Sequence, residues 1–292
     1  MNDLALVRRR YAELIRQAAR LRSESVTRAL AEVPREDYLG PGPWKILRPP
    51  NLWSYETTPS DDPACIYEDV LVALDPVRHL NNGLPSGLAG WIEALDLHRG
   101  ERILHLGCGT GYYTAVMACI VGQAGRVIAL EIDPELAARA RKSLGAYPWV
   151  EALHGDATFY DPREVDAVLV NAGATHPLAL WLDSLRLGGR LVFPLVRWPW
   201  ISEFVPGKAG WGVMLRIERL EVGYCAKLLS PAGFFPCLGA LDEEADRLLA
   251  DAMVRGGLTE VRSLRREVHD TDPACLLHGR GYCFSSLVPE GC

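Results

Sequence analysis

RILHLGCGTGYYTAVMACIVGQAGRVIALEID, from Arg102 to Asp133, decides the fold. The apolar run Ile103 to Leu106 reads as a buried strand. Gly107-Cys108-Gly109-Thr110-Gly111 follows as a tight loop, and Tyr112 to Val121 as a helix. The turn Gly122 to Gly125 leads into a second apolar run, Arg126 to Leu130, which ends in the acid Glu131. Glycines let the backbone approach a ligand closely and present N–H groups at a helix start, while an acid at the next strand tip accepts hydrogen bonds from ribose hydroxyls. Strand, loop, helix, strand and acid occur here in the order a nucleoside site requires.

The loop is G-x-G-x-G, not the G-x-G-x-x-G usual for nicotinamide enzymes, and it resembles the nucleoside loop of S-adenosylmethionine-dependent methyltransferases. The expected cofactor residues are Gly107, Cys108, Gly109, Thr110, Gly111, Tyr112, Glu131 and Ile132. Asp156 and Ala157, after a third strand at Val150 to Leu153, sit where such enzymes contact adenine. A helix N-cap is the competing role for Asp156. Asn171, after a fourth strand at Asp166 to Val170, falls at the ligand edge of a parallel sheet.

Around this unit the chain alternates helices and strands: Glu135 to Leu144, Pro177 to Leu185 and Arg190 to Leu195. That alternation predicts an α/β, Rossmann-like fold with a mostly parallel sheet. Upstream, residues 4 to 31 carry apolar positions at helical spacing, with Ser23 or Ser25 as a cap and Pro34 as a stop. Residues 41 to 64, rich in proline and holding Trp44, Trp53 and Tyr55, read as a loop: a substrate-facing flap, or a connector packed on the core. Beyond residue 196 strands are expected at Val213 to Leu220 and Tyr224 to Leu229. A helix at Leu241 to Val254 and short strands at Glu260 to Leu264 and Gly281 to Ser285 make a small α+β extension. The expected division is 1–86, helical and substrate-facing; 87–238, cofactor-binding; and 239–292, extension.

The formal net charge of -6 leaves no electrostatic footprint for nucleic acid. No apolar run is long enough to span a bilayer, and MNDLALVRRRYAELIRQ is no signal peptide, so a cytoplasmic location is expected. None of the eight cysteines is in C-x-x-C spacing. Several read as buried thiols, which suits a reducing compartment. His269, Cys275, His278 and Cys283 contain one plausible ligand spacing, Cys275-x-x-His278. The rest departs from standard zinc patterns, and buried cysteines with ordinary histidines are the preferred reading, with no metal.

The motifs together resemble the protein-L-isoaspartate (D-aspartate) O-methyltransferase family, from about residue 11 to about 237, with the C-terminal extension added. The resemblance is carried by Val33-Pro34-Arg35-Glu36 with Tyr38, by Tyr67-Glu68-Asp69, by Leu104 to Tyr112, by Asp166 to Val170, and by Leu187-Gly188-Gly189-Arg190-Leu191-Val192-Phe193-Pro194-Leu195. It implies methyl transfer from S-adenosylmethionine, leaving S-adenosylhomocysteine, to an isoaspartyl or aspartyl carboxylate of a protein or peptide. A carboxylate is already ionised near neutral pH, so the enzyme's task is positioning and exclusion of water, not proton removal. The family usually carries a serine beside the reacting centre. Here that register falls on Gly83, within His79-Leu80-Asn81-Asn82-Gly83-Leu84-Pro85-Ser86, and Asn81, Asn82 or Ser86 is expected to supply the missing donor. The departure leaves open a dedicated aspartate methyltransferase of a ribosomally made precursor peptide, forming isoaspartate through a succinimide. A rival of another class is a non-catalytic nucleoside-binding module.

Overall fold

A computed structural model describes residues 3–198 and 209–292. The helices are α1 Leu4–Ala18, α2 Glu24–Glu32, α3 Glu36–Leu39, α4 Pro85–Ala94, α5 Tyr112–Val121, α6 Pro134–Ser143, α7 Ala179–Asp183 and α8 Glu243–Arg255. The strands are β1 Lys45–Arg48, β2 Asn51–Thr57, β3 Leu71–Asp75, β4 Leu80–Asn81, β5 Arg102–Leu106, β6 Arg126–Glu131, β7 Val150–His154, β8 Val165–Val170, β9 Leu185–Arg197, β10 Gly210–Arg219, β11 Tyr224–Phe234, β12 Ser263–Arg265, β13 Cys275–Gly279 and β14 Tyr282–Ser285. They divide into one unit of residues 1–102 and 108–155, and a second of 103–107 and 156–292. This grouping cuts across the expected boundaries at 86/87 and 238/239: the N-terminal segment groups with α5 to β7, and the extension with β8 to β11.

In the first unit, β6 and β7 pair in parallel, Glu131 opposite His154. Asp3 caps α1 by accepting from the N–H groups of Ala5 and Leu6, and Ser23 caps α2 from Val26. Val33-Pro34-Arg35-Glu36 then turns the chain, and Arg35 is fully buried. Its guanidinium donates to the carbonyls of Ile66 (2.6 Å), Glu68 (3.1 Å) and Val70 (2.8 Å). The rings of Tyr11 and Tyr112 lie 5.7 and 6.0 Å from its Cζ.

Residues 41 to 64 are not the irregular loop that their prolines suggest. Within them β1 and β2 form an antiparallel hairpin, with Arg48 opposite Asn51, so Pro49 and Pro50 occupy the two-residue turn. The prolines lie between the two strands, where no ladder N–H is needed. The hairpin belongs to a four-stranded sheet of order β2-β1-β3-β4. Trp44 is buried and its indole N–H donates to the Gly40 carbonyl; the side chain of Trp53 lies outside the described part.

The second unit carries parallel ladders between β5 and β8 and between β8 and β9. Past β9 every pairing is antiparallel: β9-β10-β11-β12-β14-β13. The antiparallel part is more extensive than the sequence suggested, because β12 to β14 of the extension continue the sheet from β11 instead of packing apart from it. Cys225 of β11 and Cys292 form a disulfide, a pair that the expectation of a reducing compartment did not include; they are 67 residues apart, so no local spacing signals it. Cys65, Cys108, Cys119, Cys237, Cys275 and Cys283 are free. Among the described residues no helix is long and apolar enough to cross a membrane.

His105 sits within β5 with no exposed surface, and burial holds its imidazole down to about 3. An unfolded chain protonates it near about 6.5. Between those values the unfolded state binds more protons, so stability is complete above about 6.5 and falls by about 1.4 kcal/mol per pH unit below it. His105→Gln, which cannot titrate, is therefore expected to lose about 2 kcal/mol less than the parent chain between pH 7 and pH 5. Urea unfolding at the two pH values checks this; equal losses in both proteins would refute it.

Candidate active site

In the second unit β5 is followed by Gly107, whose φ is +74°. A Cβ there would lie 3.2 Å from the backbone oxygen of Asn171, so only glycine lets the loop leave β5 at this angle. Asn171 is tied to the same strand end: its N–H donates to the Leu106 carbonyl at 2.7 Å and its side-chain amide to the Gly107 carbonyl at 3.4 Å. Asp156 starts no helix. Its Oδ1 accepts from the N–H (2.8 Å) and hydroxyl (2.7 Å) of Thr158, closing a turn. Ala157 offers its carbonyl to the indole N–H of Trp181. His176, a neighbour of this strand end, has its imidazole lowered by burial, and its Nδ1 lies 3.2 Å from the Thr175 hydroxyl.

The remaining loop residues belong to the first unit. Cys108 donates its N–H to the Leu130 carbonyl at 3.0 Å, and burial, with the Glu131 charge adding to it, raises its thiol well above the usual range. Gly111 caps α5 in the left-handed conformation, φ 94°. Thr110 is fully buried. Glu131 closes the arrangement: Oε2 accepts from the Gly109 N–H at 2.7 Å and Oε1 from the Asp133 N–H at 3.1 Å. It is 7% exposed. Burial raises its carboxyl above the ordinary range, and the backbone N–H groups of Asp133, Gly109 and Ile132 oppose that shift. Ile132, beside it, is half exposed at 50%, an apolar side chain on the same rim. Tyr112 differs from its loop neighbours. Its ring is fully buried, edge-on to Tyr38 at 5.7 Å and Tyr113 at 4.9 Å, so its side chain is core and only its backbone faces the loop.

The first unit also brings the Asn81 to Ser86 segment against this loop. The Tyr113 hydroxyl donates to the Gly83 carbonyl at 3.4 Å. Leu74 of β3 would meet a Cβ on Gly109 at 3.5 Å. Arg78 bridges Asp75 and Asp133, both at 2.5 Å. The three candidate donors differ in what they have left to give. The Asn81 Oδ1 accepts from the Tyr55 hydroxyl at 2.8 Å and its Nδ2 donates to the His79 carbonyl at 2.7 Å. Ser86 gives its N–H to Asp69 Oδ1 at 2.9 Å, which anchors the start of α4. Asn82 is 6% exposed, and its Nδ2 has no hydrogen-bond partner among the described residues. A buried amide donor without a partner is costly unless a ligand accepts from it. Gly83 has φ +79°, and a Cβ would lie 2.8 Å from Leu88 Cδ2. Asp69 and Arg78 escaped the reading from residues alone; Asp69 was visible only within the Tyr67-Glu68-Asp69 motif, and Arg78 carried no signal.

The chain is similar to known proteins in sequence and in fold. Residues 67–199 match the family model described as protein-L-isoaspartate (D-aspartate) O-methyltransferase. The protein-L-isoaspartate O-methyltransferase of Ignicoccus hospitalis is 35% identical over 176 residues, 59% of this chain and 78% of that protein. Protein-L-isoaspartate O-methyltransferase 2 of Archaeoglobus fulgidus is 33% identical over 204 residues, 67% of this chain and 83% of that protein. Among solved structures, one from Plasmodium falciparum, described as a protein-L-isoaspartate O-methyltransferase in complex with S-adenosyl-L-homocysteine, superposes with a TM-score of 0.59. It is 17% identical and covers 79% of this chain and 97% of that one, so it establishes the Rossmann-like α/β fold. Its fold, its glycine loop closed by Glu131, and these relatives together place the chain in the protein-L-isoaspartate (D-aspartate) O-methyltransferase family.

Proposed function

We propose that the protein is an S-adenosylmethionine-dependent carboxyl O-methyltransferase acting on isoaspartyl or aspartyl carboxylates of proteins or peptides. The observation that carries this reading is the buried Glu131 carboxylate held on the Gly109 N–H beside the exposed Ile132. That pairing suits a nucleoside: the acid takes ribose hydroxyls, Ile132 covers an adenine face, and Gly109 admits the ligand next to backbone. When bound, the cofactor supplies an electrophilic methyl group on a sulfonium sulfur. Transfer of that methyl to an acceptor carboxylate would exchange a carbon–sulfur for a carbon–oxygen bond, so it would ask no proton transfer of the chain's residues.

The chain's contribution is then orientation. Asn82 donates its free amide to the acceptor carboxylate, Asn81 keeps β4 in place through Tyr55, and Ser86 starts α4 against Asp69. Buried surroundings around Asn82 strengthen that hydrogen bond by keeping water away. Asn82→Ala is expected to lower the methylation rate about 10- to 100-fold, the equivalent of one hydrogen bond to a charged group, with cofactor affinity unchanged. Single-turnover assays with a separate cofactor titration measure the two effects; an unimpaired rate would remove Asn82 from this role.

Gly83 favours a second version of the substrate. Its left-handed backbone strains a serine at the family's usual position, and a Cβ there would press on Leu88, so that hydroxyl donor is missing, which suits an aspartate acceptor in a dedicated precursor peptide. Incubating an isoaspartyl peptide and its aspartyl isomer with enzyme and methyl-labelled cofactor separates these readings, with base-labile label as the signal. Label on neither, despite cofactor binding, would overturn methylation of simple peptides and favour a binding module.

A further inference from the structure

The C-terminal extension gathers four side chains that one stretch of sequence does not bring together. One potential ligand atom from each of His269, Cys275, His278 and Cys283 lies within 4.8 Å of those of the other three. Only Cys275-x-x-His278 has ligand spacing along the chain, and the sequence favoured separate buried cysteines and ordinary histidines. The hairpin of β13 and β14 explains the gathering. His278 and Cys283 are directly opposed in its ladder. Cys275 lies three residues before His278, which in a regular strand puts it on the opposite face. The register shifts between Cys275 and Leu277, and such a bulge returns Cys275 to the His278 side. His269 comes from the connection between β12 and β13, which contains no helix or strand.

We propose that these four residues bind one Zn²⁺ ion in a closed structural site. Two thiolates and two imidazoles are a preferred tetrahedral zinc set, and zinc bond lengths place such donor atoms about 3.3 to 3.8 Å apart. The Cys275 Sγ is 3.6 Å from the His269 Nε2. The other His269 nitrogen, Nδ1, lies 2.8 Å from the Glu267 carbonyl; as the N–H donor there it fixes the tautomer and leaves Nε2 a free lone pair. The Asp272 N–H donates to the Cys275 sulfur at 3.3 Å, which holds that side chain in position. The His278 Nδ1 is buried with no hydrogen-bond partner among the described residues. The His269 and His278 rings stand 4.9 Å apart and perpendicular, as two imidazoles converging on one point do. Cys283 is 1% exposed, so the floor of the site is dry. Four protein donors leave no position for substrate, so the ion pins the β12–β13 connection to the hairpin and takes no part in methyl transfer.

The full chain, purified under reducing conditions without chelator, is expected to carry about one zinc per molecule by plasma mass spectrometry. Cobalt exchanged into the protein is expected to give the thiolate charge-transfer band and visible absorption of a tetrahedral site. Cys275→Ser and His269→Gln should each cut zinc occupancy at least about tenfold, and Cys275→Ser should weaken the charge-transfer band. His269→Gln changes a partly exposed side chain outside any strand, so it keeps the test valid if the cysteine variant fails to fold. Three results would each overturn the proposal: no zinc on the purified chain with no cobalt spectrum after reconstitution, unchanged occupancy in both variants, or a Cys275–Cys283 disulfide in the reduced preparation.

Discussion

Arg35→Ala is expected to destabilise the protein by about 4 kcal/mol, the largest single effect foreseen among stability variants. The guanidinium is fully buried and satisfies three carbonyls, those of Ile66, Glu68 and Val70. Alanine leaves all three without that donor and opens a void between Tyr11 and Tyr112. Arg35→Met fills most of the void yet restores no donor, so it should recover only a minority of the loss. The carbonyl-bearing segment also contains Asp69, which holds the Ser86 N–H at the start of α4. Activity is therefore expected to fall with stability. Urea unfolding of the two variants beside the parent, with methylation assays under native conditions, is the measurement. A loss below about 1 kcal/mol in Arg35→Ala would show that water or backbone shifts replace the guanidinium.

Glu131→Ala is expected to weaken S-adenosylmethionine binding about 100-fold, about 3 kcal/mol, without a matching loss of stability. On the proposed reading the carboxylate has two tasks: accepting from ribose, and holding the Gly109 and Asp133 N–H groups. Removing it costs both. Stability moves differently because burial raises the folded carboxyl above its unfolded value, with backbone N–H groups only opposing that shift. A raised carboxyl contributes stability below the unfolded pKa and loses it as pH rises, so at neutral pH the ionised Glu131 is a net cost to folding. Glu131→Gln keeps an acceptor for Gly109 and sheds that cost. It should bind cofactor with intermediate affinity and unfold at an equal or higher urea midpoint. Calorimetric titration and urea unfolding on both variants check the pair of outcomes; parent-like affinity in Glu131→Ala would remove the residue from the cofactor site.

What could be read from the sequence was local. The glycine loop, α5 and Glu131 lie within one continuous stretch, and each constrains its neighbours through φ angles and strand ends. The β1–β2 hairpin was missed because Pro49 and Pro50 signal irregular chain, whereas here they form the turn between Arg48 and Asn51. The place of Arg35 in a motif was visible, but its task was not, because its partners are backbone carbonyls more than 30 residues away. Tyr112 follows the loop as a ligand residue would, yet its ring belongs to the core. Asn81, Asn82 and Ser86 were equivalent as polar residues near Gly83. Hydrogen-bond bookkeeping separates the two asparagines, since Asn81 is already committed to Tyr55 and His79 while the Asn82 amide is not.

The backbone at Gly83 also makes a serine hard to install at this position. A serine introduced there alone meets a left-handed φ of +79° and Leu88 at once, so it should lower stability before it can offer a hydroxyl. Trimming Leu88 in the same chain relieves the contact but not the backbone strain. A hydroxyl at this position therefore requires the loop to change conformation as well as the side chain. Urea unfolding of Gly83→Ser with and without Leu88→Ala divides the cost between the side-chain contact and the backbone strain.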